Sequence, residues 1–170
     1  MLLLFAFGGV SLKIADYYGE RTSKTISFIS ASVSALIFGL LMSHNSISTS
    51  IILGIILGVL FSGKINQLNL FFGLILTLTI ASILNFQFPN LWLLSIVTLF
   101  SFIDELSHDQ YSVTKFLATF FLLRPFLKIS FLVIALLSLI EVNYILAFFC
   151  FDLSYDLTNF LLNKYVTKNK

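Results

Sequence analysis

The sequence predicts an all-α, polytopic integral membrane bundle of about seven transmembrane segments, and three observations carry that reading. Hydrophobic residues make up 58% of the chain, charged residues 11%, and the mean hydropathy is +1.01. A globule of this composition lacks the polar surface that water requires, so lipid is the implied solvent. A spanning helix takes roughly 20 apolar residues, which gives a chain of this length about seven crossings, as one membrane domain over residues 1–170. Runs such as Ile51 to Phe61 and Ile129 to Ile140 do not alternate apolar with polar positions, which excludes the strands of a β-barrel.

The first segment, 2–18, ends at Gly19, Glu20 and Arg21. It lacks the basic start of a secretory leader and carries Lys13, Asp16 and Glu20 before any cleavage-like site, so it reads as the mature first helix. The polar loop from Ser43 to Ser46 separates segments at 25–43 and 48–62. A fourth segment, 66–85, lies between the breaks at Gly63 to Asn66 and Asn85 to Asn90, the second of which contains Pro89. The fifth, 90–105, runs into the loop from Glu105 to Gln110. Residues 112–124 are apolar but are followed by Arg124, Pro125 and Lys128. They read as a re-entrant or interfacial helix leading into a crossing that starts at Lys128. One long Pro-kinked helix is disfavoured, because a central Arg or Lys facing lipid costs on the order of 3 kcal/mol. Segments at 129–142 and 143–163 complete the count.

Loop cations orient the bundle. Arg21 and Lys24, then Lys64, then Lys115, Arg124 and Lys128, and finally Lys164, Lys168 and Lys170 fall on one side of a seven-crossing path. The opposite loops hold no Lys or Arg, which places the N-terminus outside and the C-terminus in the cytoplasm. Small residues recur every fourth position, at Ser27, Ala31, Ala35 and Gly39 and at Gly54, Gly58 and Ser62. At that spacing backbones approach closely, within the chain as the preferred reading and in a homo-oligomer as the alternative. Trp92 fits an outer-interface anchor, and the single cysteine, Cys150, fits a small packing residue.

Carboxylates at membrane depth are costly and are kept where something satisfies them. Lys13, Asp16 and Glu20 follow a three-then-four step along one helical face, Asp104 and His108 are four apart, and Asp152 and Asp156 are four apart with Asn159 three further on. The topology puts all three sets in the cytoplasmic half of the bilayer, where convergence would require counter-charge, bound cations or retained protons. Glu105 and Asp109 read as solvated loop acids, and His44 as incidental.

Oxygen ligands beside Lys and Arg suit a hard divalent cation such as Mg²⁺ holding a phosphate. The leading expectation is therefore an enzyme that acts at the cytoplasmic face on a phosphate-bearing lipid or isoprenoid. In it Asp16, Glu20, Asp152 and Asp156 hold the metal, Lys13, Lys64, Lys115 and Arg124 hold phosphate, and His108 with Asp104 form a general base and its orienting partner. The alternative is a cation- or proton-coupled transporter or channel that uses the same carboxylates. No dense basic run tracks a nucleic-acid backbone, and GxSxG, GxxxxGK[ST] and GxGxxG are all absent.

Overall fold

The computed structural model describes residues 1–21, 23–65, 67–108 and 124–168, with the side chains of 108 and 165–168 left aside. Among these residues the chain is helical without strands: α1 (Leu2–Gly19), α2 (Lys24–His44), α3 (Ser46–Phe61), α4 (Leu68–Ile83), α5 (Leu91–His108), α6 (Pro125–Leu136) and α7 (Val142–Lys168). Two of them, α2 and the Val142–Lys164 part of α7, are long and apolar enough to cross a membrane, while α3, α4 and α6 are shorter apolar helices. The segments expected at 2–18, 25–43, 48–62, 66–85, 90–105 and 143–163 each overlie one helix. The stretch expected as re-entrant or interfacial, 112–124, lies outside the described residues apart from Arg124.

The sixth helix departs from expectation, beginning at Pro125 and ending at Leu136 instead of running over 129–142. Arg124 takes a left-handed conformation, φ 50° and ψ 60°, so no helix runs through it into Pro125. Proline disfavours helical backbone in the residue before it and is itself well placed at the first helical position, where its missing N–H is not needed. At the other end Ser138 is left-handed, its N–H donates to Ala135 O at 3.0 Å, and Leu139 N–H donates to Ile134 O at 3.1 Å. That pair of bonds is a Schellman closure, with serine at the place glycine usually takes. Gly63 closes α3 the same way at φ 72°, and Lys64, the next residue, donates its N–H to Val59 O.

The chain forms two compact units, Met1–Ser43 with Asn66–Phe86 and Leu146–Lys170, and His44–Ile65 with Gln87–Ile145. In the first unit, α2 turns its small residues inward: Ser27, Ala31, Ala35 and Gly39 are all buried. Gly73 of α4 faces Ala31, and a methyl on Gly39 would lie 2.5 Å from Ile80 Cγ2 of α4. The α1 helix meets α7 at Gly9, where a methyl would collide with Phe151 O and Ser154 Oγ. Ser154 Oγ shares its hydrogen between Ala6 O and Phe151 O, each at 2.8 Å, and so ties the crossing with a hydrogen bond. Gly9→Ala is expected to destabilise the chain by about 1–3 kcal/mol through overpacking. An unchanged thermal unfolding midpoint in detergent would show instead that α7 shifts at no cost.

In the second unit, Gly54 and Gly58 of α3 lie against Val97 and Ser101 of α5, each closer than a methyl would permit. Both small-residue stripes therefore serve contacts within the chain. Asn45 caps α3 by accepting from Ser48 N–H at 2.8 Å, and its Nδ2 donates to the Tyr144 hydroxyl at 2.8 Å. Ser50 Oγ exchanges hydrogen bonds with the backbone of Asn90, at 2.7 and 3.2 Å, and so fixes the start of α5 beside α3.

Candidate functional site

Among the described residues, two ion-paired clusters stand out, one in each unit. In the first, the three-residue step on α1 brings Lys13 Nζ to 2.8 Å from Asp16 Oδ2, with side chains 14% and 23% exposed. The close approach at Gly9 sets α7 alongside, and Tyr155 completes a triangle. Lys13 Nζ donates to the Tyr155 hydroxyl at 3.4 Å, and that hydroxyl donates to Asp16 Oδ2 at 3.3 Å. The ammonium also stands 5.0 Å from the centre of the Tyr155 ring, within range of a cation–π attraction. Asp152, one turn before Tyr155, is 6% exposed. Asp156 is half-buried, and Glu20, beyond the last turn of α1, is exposed.

The four acids expected to hold a metal are therefore placed differently from one another: Asp16 is paired with Lys13, Asp152 is inside and Glu20 is outside. Among the described residues no three His, Cys, Asp or Glu side chains gather as a group able to hold a metal ion. Asp16, Glu20, Asp152 and Asp156 thus do not close into one carboxylate cage.

The second cluster lies where α5 meets the end of α3 and the start of α6. Asp104 is 1% exposed, and its two carboxylate oxygens accept from the backbone N–H groups of Phe126, at 3.0 Å, and Leu127, at 2.7 Å. These are among the first amides of α6, which have no partner inside their own helix, and a carboxylate also suits the positive end of the helix dipole. Asp104 is therefore an N-cap supplied from another helix.

Glu105, expected as a solvated loop acid, is 4% exposed. The reason is that α5 continues to His108, so that Glu105 is helical and faces inward. Its Oε1 lies 2.7 Å from Arg124 and its Oε2 3.1 Å from Lys64, and Lys64 Nζ also donates to the Glu105 backbone carbonyl at 2.6 Å. The Schellman closure at Gly63 sets Lys64 at that position, and the left-handed turn at Arg124 brings the guanidinium to the other side. The Lys64 and Arg124 side chains expected to grip phosphate are engaged here by Glu105. The His108 side chain and all of Lys115 lie outside the described residues.

Sequence reasoning missed Tyr155 and the role of Glu105. Tyr155 lies three residues after Asp152 and one before Asp156, on the stripe already marked by those acids, but its aromatic body lets it pass for apolar. Comparison with protein-family models, with curated proteins and with solved structures finds no match to this chain.

Proposed function

We propose that the chain is a multi-pass membrane protein, N-terminus outside and C-terminus cytoplasmic, that moves protons or cations through a polar line on α1 and α7. The observation that carries this reading is the triangle of Lys13, Asp16 and Tyr155, with buried Asp152 one turn away, following the apolar first turns of α1 and α7. Ionisable groups in such helices are expensive and tend to mark proton and ion pathways. All three members of the triangle exchange protons, and each lies within hydrogen-bonding reach of the other two. In this reading Asp16 and Tyr155 pass a proton between them, Lys13 supplies the counter-charge, and Asp152 receives or releases the proton on α7.

Support for the membrane setting comes from α2, which exposes Ile26, Ile29, Val33, Leu36 and Leu40 along one side, while its buried side holds Ser27, Ala31, Ser34, Ala35 and Gly39 together with Ile37, Phe38, Leu41 and Met42. The alternation of loop cations supports the seven-crossing topology. The other reading, a Mg²⁺-dependent enzyme acting on a phosphate-bearing lipid or isoprenoid, draws on Lys13 Nζ and the Tyr155 hydroxyl as adjacent donors to a phosphate oxygen. It ranks second because Lys64 and Arg124 are already engaged by Glu105 and because the four acids are dispersed.

The test is proton flux in liposomes carrying the full chain and an internal pH dye, driven by a potassium diffusion potential. The native protein is expected to acidify the interior faster than empty liposomes do. Asp152→Asn and Tyr155→Phe should each slow the rate by about 10²-fold, the scale of losing one positioned proton-transfer group. Leu153→Ala, on the exposed side of α7, should leave the rate unchanged. Native rates equal to those of empty liposomes would remove the proton-transport reading.

A further inference from the structure

The end of α1 holds polar groups that belong to neither cluster. Helix α1 closes at Gly19, and the space a side chain would fill there is taken by two amides from the start of α4. A methyl on Gly19 would collide with Gln67 Oε1 and would stand 2.8 Å from Asn69 Nδ2 and 2.9 Å from Asn69 Oδ1. Asn69 is 4% exposed, and its Nδ2 donates to Ala15 O at 2.9 Å, which fixes the amide and leaves Oδ1 as an acceptor. Ala15 O also accepts from Ser27 Oγ at 2.8 Å, so α2 and α4 are both anchored to this turn of α1. Gln67 Oε1 is shut off from solvent and has no hydrogen-bond partner among the described residues.

A buried carbonyl oxygen without a donor is costly, and here a second amide oxygen converges on the same space. Both lie beside the last turn of α1, near the negative end of the helix dipole. Such a place favours a positive ligand. Neutral amide oxygens are hard donors, and without a carboxylate between them they suit a monovalent ion better than a divalent one. Helix C-terminal ends with neighbouring carbonyls hold sodium in the same manner in membrane transporters.

We propose that Gln67 Oε1 and Asn69 Oδ1 bind a small monovalent cation, sodium in size, where the two amides approach α1 beside Gly19. This goes beyond the proton-pathway reading. It uses different residues and an equilibrium measurement without flux, so either proposal can fail while the other stands.

The experiment uses the full chain in detergent and radioactive sodium as the probe. Native protein is expected to bind one sodium per chain saturably, with displacement by unlabelled NaCl. Its unfolding midpoint in about 100 mM NaCl should exceed that in choline chloride of equal ionic strength by about 3–5 °C, as expected for a site with a Kd of about 10 mM. Gln67→Leu should abolish both effects while the helical circular dichroism is retained. Gln67→Glu keeps the oxygens and adds charge, and should bind sodium more tightly, which provides the test if the leucine variant does not fold. Absence of saturable binding by the native chain would overturn the proposal, as would native-like binding by Gln67→Leu. Either result would leave an ordered water as the partner of Gln67.

Discussion

Asp104→Ala is expected to destabilise the chain by about 3 kcal/mol, the largest effect of any single substitution considered. Two α6 amides, those of Phe126 and Leu127, now donate to a carboxylate that is almost wholly buried. Each buried N–H left without an acceptor costs about 1–3 kcal/mol, and loss of an N-cap alone costs about 1 kcal/mol. Asp104→Asn keeps one acceptor oxygen and so should lose about half as much. Thermal unfolding in detergent, followed by the fluorescence of Trp92 on α5, reads both variants. An alanine variant as stable as the native chain would mean that water caps α6 equally well. Because the damage falls on the start of α6, exchange of the Phe126 and Leu127 amides should accelerate first.

Glu105→Gln is expected to cost about 2 kcal/mol. The substitution preserves shape but leaves the cationic groups of Lys64 and Arg124 facing each other across a neutral amide. Removing one partner of a fully buried pair typically costs about 3–5 kcal/mol. Here the Lys64 and Arg124 side chains remain 25% and 27% exposed, so water recovers part of that loss. The coupling can be isolated with a double-mutant cycle: adding Arg124→Gln to Glu105→Gln should cost less than the sum of the two single changes. Strict additivity would show that Glu105 is held by Lys64 alone. Raised salt should weaken the native pairing only slightly, since screening acts poorly on a buried carboxylate.

Helix positions were largely legible in the sequence because hydropathy and loop punctuation are local properties. Segments such as 25–43 and 90–105 needed only their own residues to be recognised. The start of the sixth helix is marked locally by Pro125, but its cap is not local: it is a carboxylate some twenty residues earlier, and no window around Pro125 contains Asp104. Glu105 was misplaced for a related reason: a helix end drawn a few residues too early turned an inward side chain into a loop acid. At the candidate site the Lys13 and Asp16 pairing followed directly from their spacing on α1. The third member, Tyr155, depended on which face of α7 meets α1, and that is decided by the missing side chain at Gly9. Spacing along a helix identifies neighbours within it, whereas partners across helices depend on where two backbones touch.

The short helices α3 and α4, of 16 residues each, and α6, of 12 residues, carry a consequence for the surrounding lipid. At 1.5 Å per residue they rise about 24 Å and 18 Å, against roughly 30 Å of hydrocarbon in an ordinary bilayer. In the proposed membrane setting a helix that short would be accommodated by thinning of the acyl layer, by flanking side chains reaching to the interface or by oligomerisation, each at a modest cost per ångström of mismatch. Bilayer thickness thereby becomes a variable in the protein's own energetics, and lipids with shorter tails would fit it better.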